Sequence, residues 1–197
     1  MKEVTLNTSI DIESLIDFYK DANNEEWGNP EYPCNADSFS ILTASNSTFT
    51  GPDGRILIME QDCRYTWQVR ILNETSDNWS LTLNNDGVKN IITMEMVQKE
   101  KDKSYPDQKE WEKLFVWDNN LDVDQNGRLR LSEEEEKENK MTFVITTQPS
   151  SISREDINYA KLSYSINFKF TDYEGIARYG KIDPFIKVRS DDPVPQP

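Results

Sequence analysis

The stretch Lys161–Val188, KLSYSINFKFTDYEGIARYGKIDPFIKV, decides the fold. Leu162, Tyr164, Ile166, Phe168 and Phe170 alternate with Ser163, Ser165, Asn167 and Lys169, the period-2 pattern of a strand with one wet face. Thr171 to Gly175 reads as a turn. The chain then returns through Ile176, Tyr179 and Ile182 to the apolar run Phe185, Ile186 and Val188, as a long antiparallel ribbon closing on a second core strand. Pro184 sits at the start of that last strand, where its missing N–H does little harm.

Working outward, Cys63 to Ile71 carries the same signature, with Cys63, Tyr65, Trp67, Val69 and Ile71 on one side and Arg64, Thr66, Gln68 and Arg70 on the other. Further strands are expected at Glu3 to Ile10, Ser38 to Ala44 (through Phe39, Ile41 and Thr43), Arg55 to Met59, Val88 to Val97 and Met141 to Thr147. Ile12 to Lys20 has the spacing of one or two helical turns, and Lys109 to Trp117 suits a helix or a strand. Ser132 to Lys140 reads as a solvated charge run, at most a short exposed helix. Eight or nine strands with turn-rich loops and no alternating helices imply an all-β fold: a single antiparallel β-sandwich, jelly-roll or Ig-like, with at most two short helices. The expected organisation is one domain over 1–189 with an inserted excursion at about 98–140, then a Pro-rich tail at 190–197.

The chain has 197 residues, a net charge of -14 and only 36% hydrophobic residues, yet 11% are aromatic, enough with the recurring strands to argue against general disorder. The acidity argues against nucleic acid and anionic membrane surfaces as partners and favours cations or a basic partner. The N-terminus lacks a long apolar core and no run approaches a membrane span, so the expected location is the cytoplasm, with signal-less export left open. Two cysteines, Cys34 and Cys63, are too few for a disulfide scaffold, and the cytoplasm disfavours a bridge between them. The sequons at Asn7, Asn46, Asn73 and Asn78 read as loop composition.

Several blocks, taken in order, resemble the AidA/PixA family of bacterial inclusion-body proteins. Ser9-Ile10-Asp11-Ile12-Glu13 is similar to that family's Asp-Thr-Glu turn after a first strand, and Asp21-Ala22-Asn23-Asn24 to its Asp-Pro-Asn-Asn loop. Gln61-Asp62-Cys63-Arg64-Tyr65-Thr66-Trp67 resembles a Gly-Asp ahead of a strand with Trp five residues beyond the Asp. The closing Asp183-Pro184-Phe185-Ile186-Lys187-Val188 is the nearest match. Ile12, Ala22 and Gln61 depart from the family's Thr, Pro and Gly, and the sequence from about Gln98 to Lys140 shows no recognisable match to it. The resemblance implies a β-sandwich without enzymatic chemistry that accumulates in the cytoplasm, in inclusions, and assembles with copies of itself as a homo-oligomer or lattice. It also admits carbohydrate as a partner.

The sharpest local motif is Asp122-Val123-Asp124-Gln125-Asn126-Gly127-Arg128-Leu129-Arg130-Leu131-Ser132-Glu133. It fits a Ca²⁺ loop, with Asp122, Asp124 and Asn126 supplying oxygens, Gly127 the sharp turn, Arg128 a backbone carbonyl and Glu133 a bidentate carboxylate. Arg130 puts a cation where such loops bind water through an oxygen. The alternative is a plain hairpin through Gln125-Asn126-Gly127, pairing Val123 with Leu129 and Leu121 with Leu131 on one face, and Asp124 with Arg128 and Asp122 with Arg130 on the other. Both readings stand at this point.

For a lectin-like, calcium-assisted alternative the candidates are Trp27 and Trp79, in Asn-rich surroundings, with Asn84, Asn85 and Asp86 as hydroxyl partners. Each has a plainer reading, as edge packing for the tryptophans and a turn for Asn85-Asp86-Gly87. Trp67 belongs to the core side of its strand. No catalytic residue stands out: the sequence contains no histidine, which removes Ser-His and Cys-His nucleophiles, and nothing singles out a carboxylate pair.

Overall fold

The computed structural model of the chain describes residues 1–20, 32–45, 49–50, 55–72, 79–83, 92–96, 108–116, 121–131, 135–137, 140–148, 162–172, 174–183 and 185–188. Its strands are β1 (Lys2–Ile10), β2 (Cys34–Asn35), β3 (Ser40–Ala44), β4 (Phe49–Thr50), β5 (Ile56–Met59), β6 (Cys63–Ile71), β7 (Trp79–Thr82), β8 (Ile92–Met96), β9 (Leu121–Val123), β10 (Leu129–Leu131), β11 (Glu135–Lys137), β12 (Lys140–Thr146), β13 (Leu162–Asp172), β14 (Ala177–Ile182) and β15 (Phe185–Val188). Helix α1 (Ile12–Tyr19) follows β1 directly, and α2 (Gln108–Trp111) is a single turn. The fold is all-β and its sheets do not close into a barrel.

β13 organises the larger sheet. One of its edges pairs with β15 at Leu162–Ser163 and with β14 from Ile166 to Thr171. The other pairs with β8 from Leu162 to Ile166 and with β7 from Lys169 to Asp172. Eleven residues give the strand room to serve different partners at its two ends. The smaller sheet runs β11-β12-β6-β1-β3.

Alternating residues of the two sheets meet in the interior. Trp67 of β6 packs edge-on against Tyr164 of β13, ring centroids 4.8 Å apart, and tilted against Phe143 of β12 at 5.6 Å. All three are fully buried. The indole N–H of Trp67 donates to the Thr8 hydroxyl at 2.9 Å, so this large ring is buried without an orphaned donor. A second contact between the sheets is the Leu83 N–H, which reaches the Met141 sulfur at 2.6 Å.

Asp11 ends β1 and starts α1. Its carboxylate accepts from the Ser14 N–H at 3.0 Å and from the Ser14 hydroxyl at 2.7 Å, an N-cap that stops the strand and satisfies helix donors at once. Ile12 and Leu15 go into the core, while Phe18 stays 69% exposed against the rings of Tyr19 and Phe39.

Three expectations change. The sheets are mixed rather than antiparallel: β1 runs parallel to β6 over nine residues, β5 parallel to β15, and β2 parallel to β14. Side-chain alternation is the same for both strand directions, so it cannot register this, and the long stretch between β1 and β6 gives the chain length enough to cross over. Second, Ile41 and Thr43 face outward, Ile41 at 52% exposure, because the antiparallel register sets Leu42 beside the inward-facing Thr8. Third, Glu135–Lys137, within the expected charge run, is a strand paired with Lys140–Thr142. The strand count rises because two- and three-residue strands are too short to show a period. Pro184 and the tail at 190–197 lie outside the described residues.

Candidate functional site

The motif at Asp122 forms the hairpin β9–β10. Val123 pairs with Leu129, Asp122 with Arg130 and Leu121 with Leu131, the register that the cross-strand charges suggest. Gly127 occupies the left-handed region at φ 68°, which a Cβ would strain, and its N–H donates to the Asp124 carbonyl at 2.9 Å. β10 continues onto β8, tying the hairpin to the large sheet.

Asp124 is the hub of this turn. Its Oδ1 accepts from the N–H groups of Asn126 and Arg128 at 2.8 and 2.9 Å, and its Oδ2 receives an Arg130 guanidinium N–H at 2.8 Å. The side chain is only 4% exposed. Burial alone pushes the carboxyl up, but the two backbone donors and then the Arg130 charge outweigh it and hold the group below the usual carboxylate range. A depressed folded value contributes stability above the ordinary Asp pKa of about 3.9, and that stability is lost as pH falls through the folded value. The acid limb of a denaturation-versus-pH series is therefore expected to flatten in Asp124→Asn, with a loss of about 1 kcal/mol at neutral pH. An unchanged acid limb would show that Asp124 titrates as an exposed carboxyl.

Of the other loop oxygens, Asp122 and Asn126 are exposed, as is Arg128, and Glu133 lies outside the described residues. Among the described residues no group of three or more Asp, Glu or Cys converges on one point. A Ca²⁺ ion taking Asp124 would first have to remove Arg130. Trp111 reports on such a change, because its buried indole N–H donates to the Gly127 carbonyl at 3.0 Å. With the hairpin as drawn, tryptophan emission is expected to stay constant up to about 1 mM Ca²⁺, while a saturable change would establish the calcium loop.

The sugar-stacking candidates fall as follows. Trp79 lies on β7, half-buried, its ring edge-on to Phe170 with centroids 6.0 Å apart. Trp27, Asn84, Asn85 and Asp86 lie outside the described residues.

Sequence reasoning missed a polar group between α1 and the end of β14. Asp37 accepts from the Asp183 N–H at 2.9 Å and faces Arg55 Nη1 at 3.5 Å, while Arg55 Nη2 donates to the Ser40 carbonyl and hydroxyl at 3.2 and 2.9 Å. Its members are scattered along the chain with no shared motif, so no local signal marks them. The Tyr164 hydroxyl is buried with no hydrogen-bond partner among the described residues, and burial holds it protonated.

Both cysteines are buried and free. Burial pushes the Cys34 thiol up to about 12 and raises Cys63 as well, so neither supplies a thiolate at neutral pH. Among the described residues no helix is long and apolar enough to cross a membrane.

No family model and no curated protein matches the chain by sequence. Solved structures do match: the crystal structure of an inclusion body protein, PixA, from Burkholderia cenocepacia J2315 superposes with a TM-score of 0.55 over 95% of this chain and 95% of that one. The chain shares the PixA fold. Identity is 7%, so the likeness lies in the architecture and not in retained side chains. The PixA resemblance carried by the ordered sequence blocks agrees with this. Two of those blocks have visible jobs: Asp11 caps α1, and Asp62, at φ 57°, makes the left-handed turn that launches β6.

Proposed function

We propose that the chain is a non-enzymatic protein of the inclusion-body type, a single β-sandwich domain over residues 1–189 that works by associating with copies of itself in the cytoplasm. The observation carrying this reading is the fold shared with the PixA inclusion body protein along 95% of both chains. The chemistry of the residues is in keeping with it: there is no histidine, and both thiols are held protonated by burial.

A net charge of -14 opposes association between copies, so assembly requires screening or bridging cations. Light scattering over a concentration series is expected to show growing particles, more so when salt is raised to about 1 M, where the Debye length falls to about 3 Å. Particles that shrink to single chains as salt rises would contradict the electrostatic part. Single chains at every concentration and salt would contradict self-association altogether.

A further inference from the structure

The smaller sheet ends in two unlike strands. At one edge β11 carries Glu135, Glu136 and Lys137, charges of the kind that keep a sheet edge from pairing with another chain. At the other edge β3 and the residue after it read Ser-Ile-Leu-Thr-Ala-Ser, without a charge, in a chain where 29% of residues are charged. The next strand, β4, belongs to the larger sheet, and among the described residues no strand besides β1 pairs with β3.

The direction of the backbone groups on β3 follows from its pairing with β1. The register sets Leu6 beside Ala44 and Ile10 beside Ser40. The flanking bonds from the Asp11 N–H to the Phe39 carbonyl and from the Ser45 N–H to the Thr5 carbonyl identify the odd-numbered residues of this stretch as those bonded to β1. Ser40, Leu42 and Ala44 therefore turn their N–H and C=O groups away from the sheet. Ser40 is already satisfied: its N–H donates to the Asp37 carbonyl and its carbonyl accepts from Arg55. Leu42 and Ala44 have no such partner among the described residues.

We propose that this edge is where a second copy of the chain docks, β3 against β3, antiparallel about a two-fold axis at Thr43. Leu42 of each copy then lies opposite Ala44 of the other. Four hydrogen bonds form, two per pair, and the two five-stranded sheets join into one. Three observations favour a second copy over another partner. The open segment is self-complementary about Thr43, as an isologous contact must be. Arg55 closes the edge at Ser40, two residues before Leu42 and the next residue to face away from β1, which limits the ladder to the length that the symmetric pairing uses. The segment from Ile41 to Ser45 carries no charge, so two strongly acidic chains can pair along it without placing like charges opposite each other. The inference rests on the self-association proposed above and makes a dimer its repeating unit.

Three variants test it by sedimentation velocity over a concentration series, with far-UV circular dichroism as a check on folding. Leu42→Pro removes an N–H that faces away from β1, so the ladder inside the chain is kept while two of the four intermolecular bonds are lost. It is expected to weaken dimerisation about tenfold or more. Thr43→Lys and Thr43→Glu each set like charges opposite each other and are expected to shift toward single chains, and an equal mixture of the two is expected to regain the dimer. Variants that all associate like the unaltered chain would overturn the β3 interface while leaving self-association standing. An unaltered chain that stays single at every concentration would overturn self-association and this interface with it.

Discussion

Trp67→Ala is expected to lower unfolding stability by about 3–5 kcal/mol, the usual range for emptying a large aromatic site. Trp67 is fully buried and touches both Tyr164 and Phe143, so its loss opens a void where the two sheets meet. It also strips the buried Thr8 hydroxyl of its donor, adding the penalty of an unsatisfied polar atom. Against a typical total of about 5–15 kcal/mol, the variant is left marginal. Urea denaturation followed by far-UV circular dichroism checks this. A loss under about 1 kcal/mol would mean that the sheets do not depend on this contact.

Gly180→Val is expected to cost about 3 kcal/mol or more, through crowding rather than a void. Gly180 on β14 lies directly across from Phe168 on β13, and the Phe168 ring covers the place a side chain would fill. An added Cβ would meet the ring carbons of Phe168 within 2.5 and 2.9 Å, below any real contact. The ring cannot move away easily, because it is fully buried beside Phe170. Gly180→Val combined with Phe168→Ala should be less destabilised than the sum of the two single changes, a coupling that a double-mutant cycle reads directly. Strict additivity would show that the ring does not cover Gly180.

These two positions show what was legible beforehand. Trp67 and Phe168 lie on period-2 strands, and their inward orientation follows from their neighbours alone. The hairpin register at Asp122–Arg130 is legible beside the Ca²⁺-loop reading, since it puts apolar residues on one face and opposite charges on the other, with the turn glycine between. Strand direction was not readable. β1 and β6 alternate in the same way whether they run together or opposed, and their parallel pairing depends on a crossover far from either strand. The facing of Ile41 is hidden for a related reason: an edge strand half-covered on its inner face has weak alternation, and Phe39 belongs to the preceding helical turn.

The polar group and the proposed docking edge are less legible still. The Asp37, Ser40 and Arg55 group exists only once β3, β5 and β14 are brought together, and the open backbone at Leu42 and Ala44 is a property of pairing, with no side chain to advertise it. Edges, unlike catalytic motifs, have no residue signature beyond the lack of charge, and that lack stands out only beside the charged β11.

Self-association is the claim on which the functional reading turns, and native mass spectrometry with and without Ca²⁺ tests it most directly, because it counts chains and bound metal in one spectrum. Species containing two or more copies, with masses unchanged by Ca²⁺, are the expected result. A spectrum of single chains under both conditions would contradict it.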